Sequence, residues 1–192
     1  MATCSGSKAV DLRDQAILLI EASGRRRSEV ATVRHSQVGV ADPIKLRPAD
    51  PASPTARCVR IALGRPKTTT AGQGAFVFAA GRAAIALHEW MQAANITSGP
   101  IFREVRKDGS IGANSRTPQS VNLILRKRCR MAGVELADFS AHGLRSGFMT
   151  RAGRDGIPLV DAMRQSAHRS VQQASGYDKQ EHTQSREVRI DI

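Results

Sequence analysis

Arg164-Gln165-Ser166-Ala167-His168-Arg169-Ser170-Val171-Gln172-Gln173-Ala174-Ser175-Gly176-Tyr177 ends on the only tyrosine of the chain. Two arginines and His168 precede that phenol, and Ala141-His142-Gly143-Leu144-Arg145 lies upstream. A phenol set among imidazole and guanidinium groups suggests a nucleophile aimed at a phosphodiester. His142 and Arg145, three apart on an expected helix, share one face.

Working outward, Ser140–Arg154, Pro158–Gln165 and Val171 to about Tyr177 read as a helical C-terminal part. Thr117–Ala132 is a further helix with Pro118 in its first turn, where a missing N–H is tolerated. Leu87, Trp90, Met91 and Ala94 follow i, i+3, i+4, i+7 and predict one buried stripe on a helix over 82–94. Gly109–Ser115 reads as a loop. Arg57–Leu63 alternates polar and apolar residues, Gly74–Phe78 is β-prone, and a turn-rich stretch joins them, which predicts an antiparallel hairpin. Between 41 and 55 four prolines (Pro43, Pro48, Pro51, Pro54) rule out a helix and predict a surface loop. Leu12–Ala22, with Asp11 as N-cap, and Ser28–Val33 are helices interrupted at Gly24. The result is one α+β domain, mainly α, carrying a small antiparallel β-sheet.

At 192 residues and 41% hydrophobic, the chain has material for one well-packed domain. A formal charge of +12 and a pI near 10.9 call for a polyanion, for which nucleic acid is the default. With only 4% aromatic residues, base-stacking platforms are scarce, which favours binding to the backbone of double-stranded DNA. No run approaches the roughly 20 apolar residues that span a bilayer, and the first residues lack a signal-peptide core, so no membrane role is expected. Cys4, Cys58 and Cys129 are odd in number and form no C-x-x-C pair; a disulfide framework and a zinc site are both disfavoured, and a cytoplasmic, nucleoid-associated setting fits.

These segments together resemble the catalytic domain of the tyrosine recombinases, the phage integrase family. A family G-x-R-x-S-E segment is matched by Gly24-Arg25-Arg26-Arg27-Ser28-Glu29, placing the first catalytic arginine at Arg26, with Arg25 and Arg27 as rivals. A lysine in a β-hairpin is matched by Lys67 in Gly64-Arg65-Pro66-Lys67-Thr68, and H-x-L-R by His142-Gly143-Leu144-Arg145. A second histidine nine residues before the nucleophile is matched by His168 and Tyr177. The resemblance covers residues 9–179, leaving 1–8 as an N-terminal extension and 180–192 as a tail. Taken singly, each match has a plain alternative: a lone surface tyrosine, a solvated H-x-x-R face, a basic turn, an ordinary hairpin lysine. Those alternatives would require five coincidences in the right order.

What the resemblance implies is cleavage and rejoining of DNA through a 3′-phosphotyrosyl bond at Tyr177. Arg26 and Arg145 would clamp the scissile phosphate, Lys67 would protonate the leaving 5′-oxygen, and His142 and His168 would assist. Neither metal nor cofactor is implied. Recombination would imply a homo-tetramer on synapsed DNA. The family usually carries a separate N-terminal core-binding domain that closes a clamp on the duplex; it is expected to be absent here or supplied by a partner, with weak, salt-sensitive binding as the result. Other departures are Glu21 and Arg25 at apolar family positions, and Ala167 where a glycine commonly precedes the second histidine. Alternating apolar residues in Val188-Arg189-Ile190-Asp191-Ile192 fit either a frayed tail or a strand docking on a neighbour. Two other functions fit the same residues: a non-catalytic DNA-binding remnant of an integrase, and a type IB topoisomerase. His35, His88 and His182 match no motif, and His88, beside Trp90, reads as structural.

Overall fold

Helix α1 (Ala9–Ala22) is the spine on which the remaining elements are assembled. Its Ile17 and Ile20 enter one continuous core with Val30, Ile61, Val77, Leu87, Trp90, Ile101, Phe102, Val121 and Ile124. The computed structural model describes residues 2–4, 6–45, 50–62, 76–134 and 141–167. Within them, α1 is followed by α2 (Arg27–Thr32), β1 (Val38–Lys45), β2 (Thr55–Ala62), β3 (Phe76–Ala80) and α3 (Arg82–Ala93). Then come β4 (Arg103–Val105), β5 (Ile111–Ser115), α4 (Pro118–Met131), α5 (Ala141–Arg154) and α6 (Leu159–Ser166). The architecture is α+β and mainly helical, with a three-stranded antiparallel sheet in the order β1-β2-β3 and a two-stranded β4-β5 ribbon among the described residues.

The expected hairpin is present: β2 pairs with β3 in the register Ala62↔Phe76 to Cys58↔Ala80. On its core face lie Ile61, Val77 and Ala79, while Arg60, Phe76 and Phe78 are exposed, and the Arg60 guanidinium lies over the Phe76 ring at 5.2 Å from its centroid. On α3, Leu87 and Trp90 are buried, Met91 and Ala94 pack partly against them, and the indole N–H donates to the Ile101 carbonyl at 3.0 Å. Thr117 caps α4 by accepting the Ser120 amide, with Pro118 following it.

Several expectations are corrected. Residues 41–45 are not loop: they complete β1, which pairs with β2 through an irregularity between Ala41 and Ile44. An edge strand tolerates Pro43 because a bulged residue need not supply a ladder N–H. Gly109–Ser115 is not wholly loop either, since Ile111–Ser115 forms β5, and Gly109, at φ +85°, turns the ribbon. The first helix starts earlier than Asp11, its N-cap being Lys8. His88 is exposed rather than packed with Trp90. Residues 2–4 are no mere extension: they form a 3-10 turn whose Cys4 is buried with Leu18, Leu125 and Cys129. The helix expected over 171–177 and the tail lie outside the described residues.

Asp11 is drawn from capping by a buried ion network. The Arg128 side chain of α4 donates from Nε to Asp14 Oδ2 at 2.8 Å and from Nη2 to Asp11 Oδ1 at 2.8 Å, and also bonds the Thr3 carbonyl. Arg13 takes the other Asp14 oxygen at 2.6 Å. With Asp14 and Arg128 both nearly inaccessible, removing Arg128 leaves Asp14 with Arg13 alone and takes the guanidinium from Asp11. Arg128→Met is therefore expected to lower unfolding free energy by about 1–3 kcal/mol in urea titrations, Arg13 still neutralising Asp14.

Candidate functional site

Gly24 decides where the first arginine motif goes. It ends α1 at φ +94°, and a Cβ there would approach the Phe148 ring of α5 at 2.9 Å. The turn therefore presses the chain onto α5 and delivers Arg25, Arg26 and Arg27 beside it. Arg26 is the extended N-cap residue of α2, and the Glu29 carboxylate accepts its backbone amide at 3.0 Å, one half of a capping box. The Arg26 side chain donates from Nη1 to Glu29 Oε1 and from Nη2 to the Ala167 carbonyl, both at 2.8 Å, and stays 44% exposed.

Arg25 behaves differently. It is 3% exposed, its Nη1 lies 3.5 Å from Glu29 Oε2, and among the described residues no hydrogen-bond acceptor meets its guanidinium. Burial lowers its pKa to about 10, Glu29 opposes that, and the neighbouring cations Arg145 and Arg26 add to it. Arg145, buried in α5, is thus in electrostatic reach of Arg25. Glu29 serves as a shared anion for Arg25 and Arg26. Glu21, in the last turn of α1, is fully buried, and neither carboxyl oxygen has a hydrogen-bond partner among the described residues. Burial raises its pKa to about 7, with Arg27 pulling it back.

Of the six residues singled out in the sequence, Arg26 and Arg145 have described side chains. His142 lies in α5 three residues before Arg145. Lys67, in the 63–75 connection between β2 and β3, and His168 and Tyr177 lie outside the described residues. Helix α6 ends at Ser166, two residues before His168, and Ala167 is its C-cap in the left-handed region, φ 52° and ψ 41°. That conformation favours glycine, which gives the Ala167 departure a physical meaning. Among the described residues no three His, Cys, Asp or Glu side chains gather to hold a metal ion, and no helix is long and apolar enough to cross a membrane. The motif reading missed Glu29 as the shared anion and Gln165 of α6, whose side-chain amide bonds the Phe78 backbone and the Ser23 carbonyl.

The family model described as the phage integrase family matches residues 1–184. An integrase/recombinase xerD homolog from Selenomonas ruminantium is 36% identical over 95 residues, which make up 50% of this chain and 28% of that protein. Among solved structures, XerA recombinase aligns at TM-score 0.64 and 17% identity over 96% of this chain and 61% of that one. XerH site-specific recombinase bound to difH substrate, a pre-cleavage complex, aligns at 0.61 and 16% over 92% and 46%. A lambda integrase dimer bound to a COC′ core site aligns at 0.54 and 16% over 99% and 59%. At the identities of these solved structures the likeness is one of fold, and the chain spans less than two thirds of each of these four proteins.

Two stability predictions follow from this geometry. The folded chain holds the Glu21 proton more tightly than the unfolded chain, so this carboxyl costs nothing below about pH 4.5 and progressively more as pH rises to about 7. Glu21→Gln is expected to leave stability unchanged near pH 4.5 and to raise it by about 2–3 kcal/mol at pH 8, read from denaturant midpoints across pH. Ala167→Gly relieves the left-handed strain and is expected to stabilise by about 0.5–1 kcal/mol once glycine's larger unfolded-state entropy is counted; thermal melts measure it.

Proposed function

The chain belongs to the phage integrase family, and we propose that it is a site-specific recombinase that cleaves and rejoins double-stranded DNA through a 3′-phosphotyrosyl intermediate. In this reading the Tyr177 phenolic oxygen attacks the scissile phosphorus and loses its proton. The bond from phosphorus to the 5′-oxygen of the next nucleotide breaks, and Lys67 protonates that oxygen. Attack by a 5′-hydroxyl of the exchanging strand runs the same step backwards, restoring the phenol. Bond energy is kept in the phosphotyrosyl ester, so strand joining needs no nucleoside triphosphate.

Arg26 and Arg145 would neutralise the non-bridging oxygens, whose charge grows in the transition state, with a forked geometry that lysine lacks. His142 and His168 would assist proton movement or hold the phosphate. The observation that carries the reading is convergence: Arg26 of the first motif bonds the carbonyl of Ala167, the residue before His168, while Arg25 beside it feels the charge of Arg145 from α5. Segments far apart in sequence, the turn at Gly24–Glu29, α5 and the end of α6, are linked by these interactions, which supports the reading. Arg26 is favoured over Arg25 as the phosphate ligand because it is exposed, whereas Arg25 is buried. The +12 charge and the substrate-bound and core-site-bound relatives support double-stranded DNA as the partner. Exchange between two duplexes would engage a homo-tetramer on synapsed DNA, or a partner supplying an N-terminal DNA-binding domain.

Nicked suicide duplexes with a randomised core test the proposal, because loss of the short product strand traps the covalent complex. We expect an SDS-resistant protein–DNA adduct that is absent in Tyr177→Phe and slowed about 10²–10³-fold in Arg26→Ala. Retained DNA binding without any adduct overturns the enzymatic reading in favour of a DNA-binding remnant. Joining of two marked duplexes separates recombination from supercoil relaxation.

A further inference from the structure

Arg26 has two anchors of different kinds. Its bond to Glu29 stays within α2 and its cap, so it shapes the side chain without fixing α2 against the rest of the domain. The bond to the Ala167 carbonyl reaches the end of α6 and does fix it. The location of that carbonyl depends in turn on Gln165, two residues earlier. Gln165 Oε1 accepts the Phe78 amide at 3.0 Å, and its Nε2 donates both to the Phe78 carbonyl and, at 3.3 Å, to the Ser23 carbonyl.

Those contacts join three elements through one amide group. Phe78 belongs to β3, the edge strand, whose outward N–H and C=O lack a strand partner; a primary amide presents a donor and an acceptor in one plane and meets both. Ser23 closes α1 and lies just before Gly24, so its carbonyl marks the start of the turn that carries Arg26. Gln165 therefore ties down both the base of the Arg26 turn and the helix end that receives the Arg26 guanidinium. Glutamate keeps only the acceptor, and lysine only donors, so neither reproduces the joint.

We infer that Gln165 is a positioning residue for Arg26, holding its guanidinium in register by bridging Phe78 of β3, Ser23 at the end of α1, and α6. The inference rests on the recombinase reading above. A misplacement of about 1 Å in a phosphate clamp costs on the order of 10²-fold in rate, so the effect falls on chemistry more than on affinity.

The test uses the full chain and the same nicked suicide duplexes with a randomised core. At saturating DNA, Gln165→Ala is expected to lower the rate of adduct formation about 10–100-fold, with the Kd for uncleaved duplex within about threefold of wild type. In an Arg26→Ala background the same substitution is expected to change the rate less than about twofold, because a residue acting through Arg26 has nothing left to position. A full additional loss in that background overturns the inference, as does a Gln165→Ala rate equal to wild type. If Gln165→Ala fails to fold, Gln165→Glu, which keeps the length and the acceptor but loses both donated bonds, is run through the same cycle with the same outcomes. A wild-type chain that forms no adduct overturns the recombinase reading and the inference with it, whereas an adduct with additive variants overturns the inference alone.

Discussion

The lack of room at Gly24 is the constraint on which the rest of the candidate site depends. A backbone at φ +94° with an aromatic ring against its Cα leaves space for hydrogen only. Because of that contact, the end of α1 and the face of α5 share one surface. The arginine triplet and Arg145 are consequences of the same packing event. Glu29 then sorts the triplet, taking Arg26 through its backbone and side chain and Arg25 through charge alone. The charge of Arg27 acts on Glu21, lowering its pKa against the effect of burial.

In the N-terminal half of α1, Asp14 performs the corresponding task for the scaffold. A carboxylate between two guanidinium groups fixes α4 and the 2–4 turn onto α1. Buried ion pairs of this kind contribute little net stability compared with apolar packing, but losing a partner from one is costly. The helix that carries the scaffold's charge pairing thus also delivers the first arginine motif, so a site assembled from distant segments is referenced to one rigid rod.

How much of this could be read in advance follows from the range of each interaction. Helices announced by Leu87 and Trp90, or by Thr117 and Pro118, are encoded within a few residues and were legible. The β2–β3 pairing was legible because alternation and a turn-rich connection are also local. β1 was not: Pro43 argues against a strand anywhere except at an edge, and edge position is a tertiary fact. β4 and β5, at three and five residues, are too short to show alternation. Asp11 carried a cap signal, but Arg128 from α4 claims its carboxylate. For the site, the spacing of Gly24–Glu29 and His142–Arg145 named the arginines. It could not tell that Arg25 turns inward while Arg26 turns out, or that Gln165 would find Phe78. Those choices depend on partners more than eighty residues away.

Pro43 has a consequence beyond its tolerance in β1. An edge strand is ordinarily a template onto which another extended chain can add, and a flat, regular one invites self-association. Here the outer strand is broken by a register irregularity at a residue that has no N–H to offer, and Lys45 ends it with a charge. The three-stranded sheet is therefore closed to growth along β1. This separates crowding on a polyanion, which a strongly basic chain invites, from indiscriminate sheet-to-sheet fusion between the crowded copies.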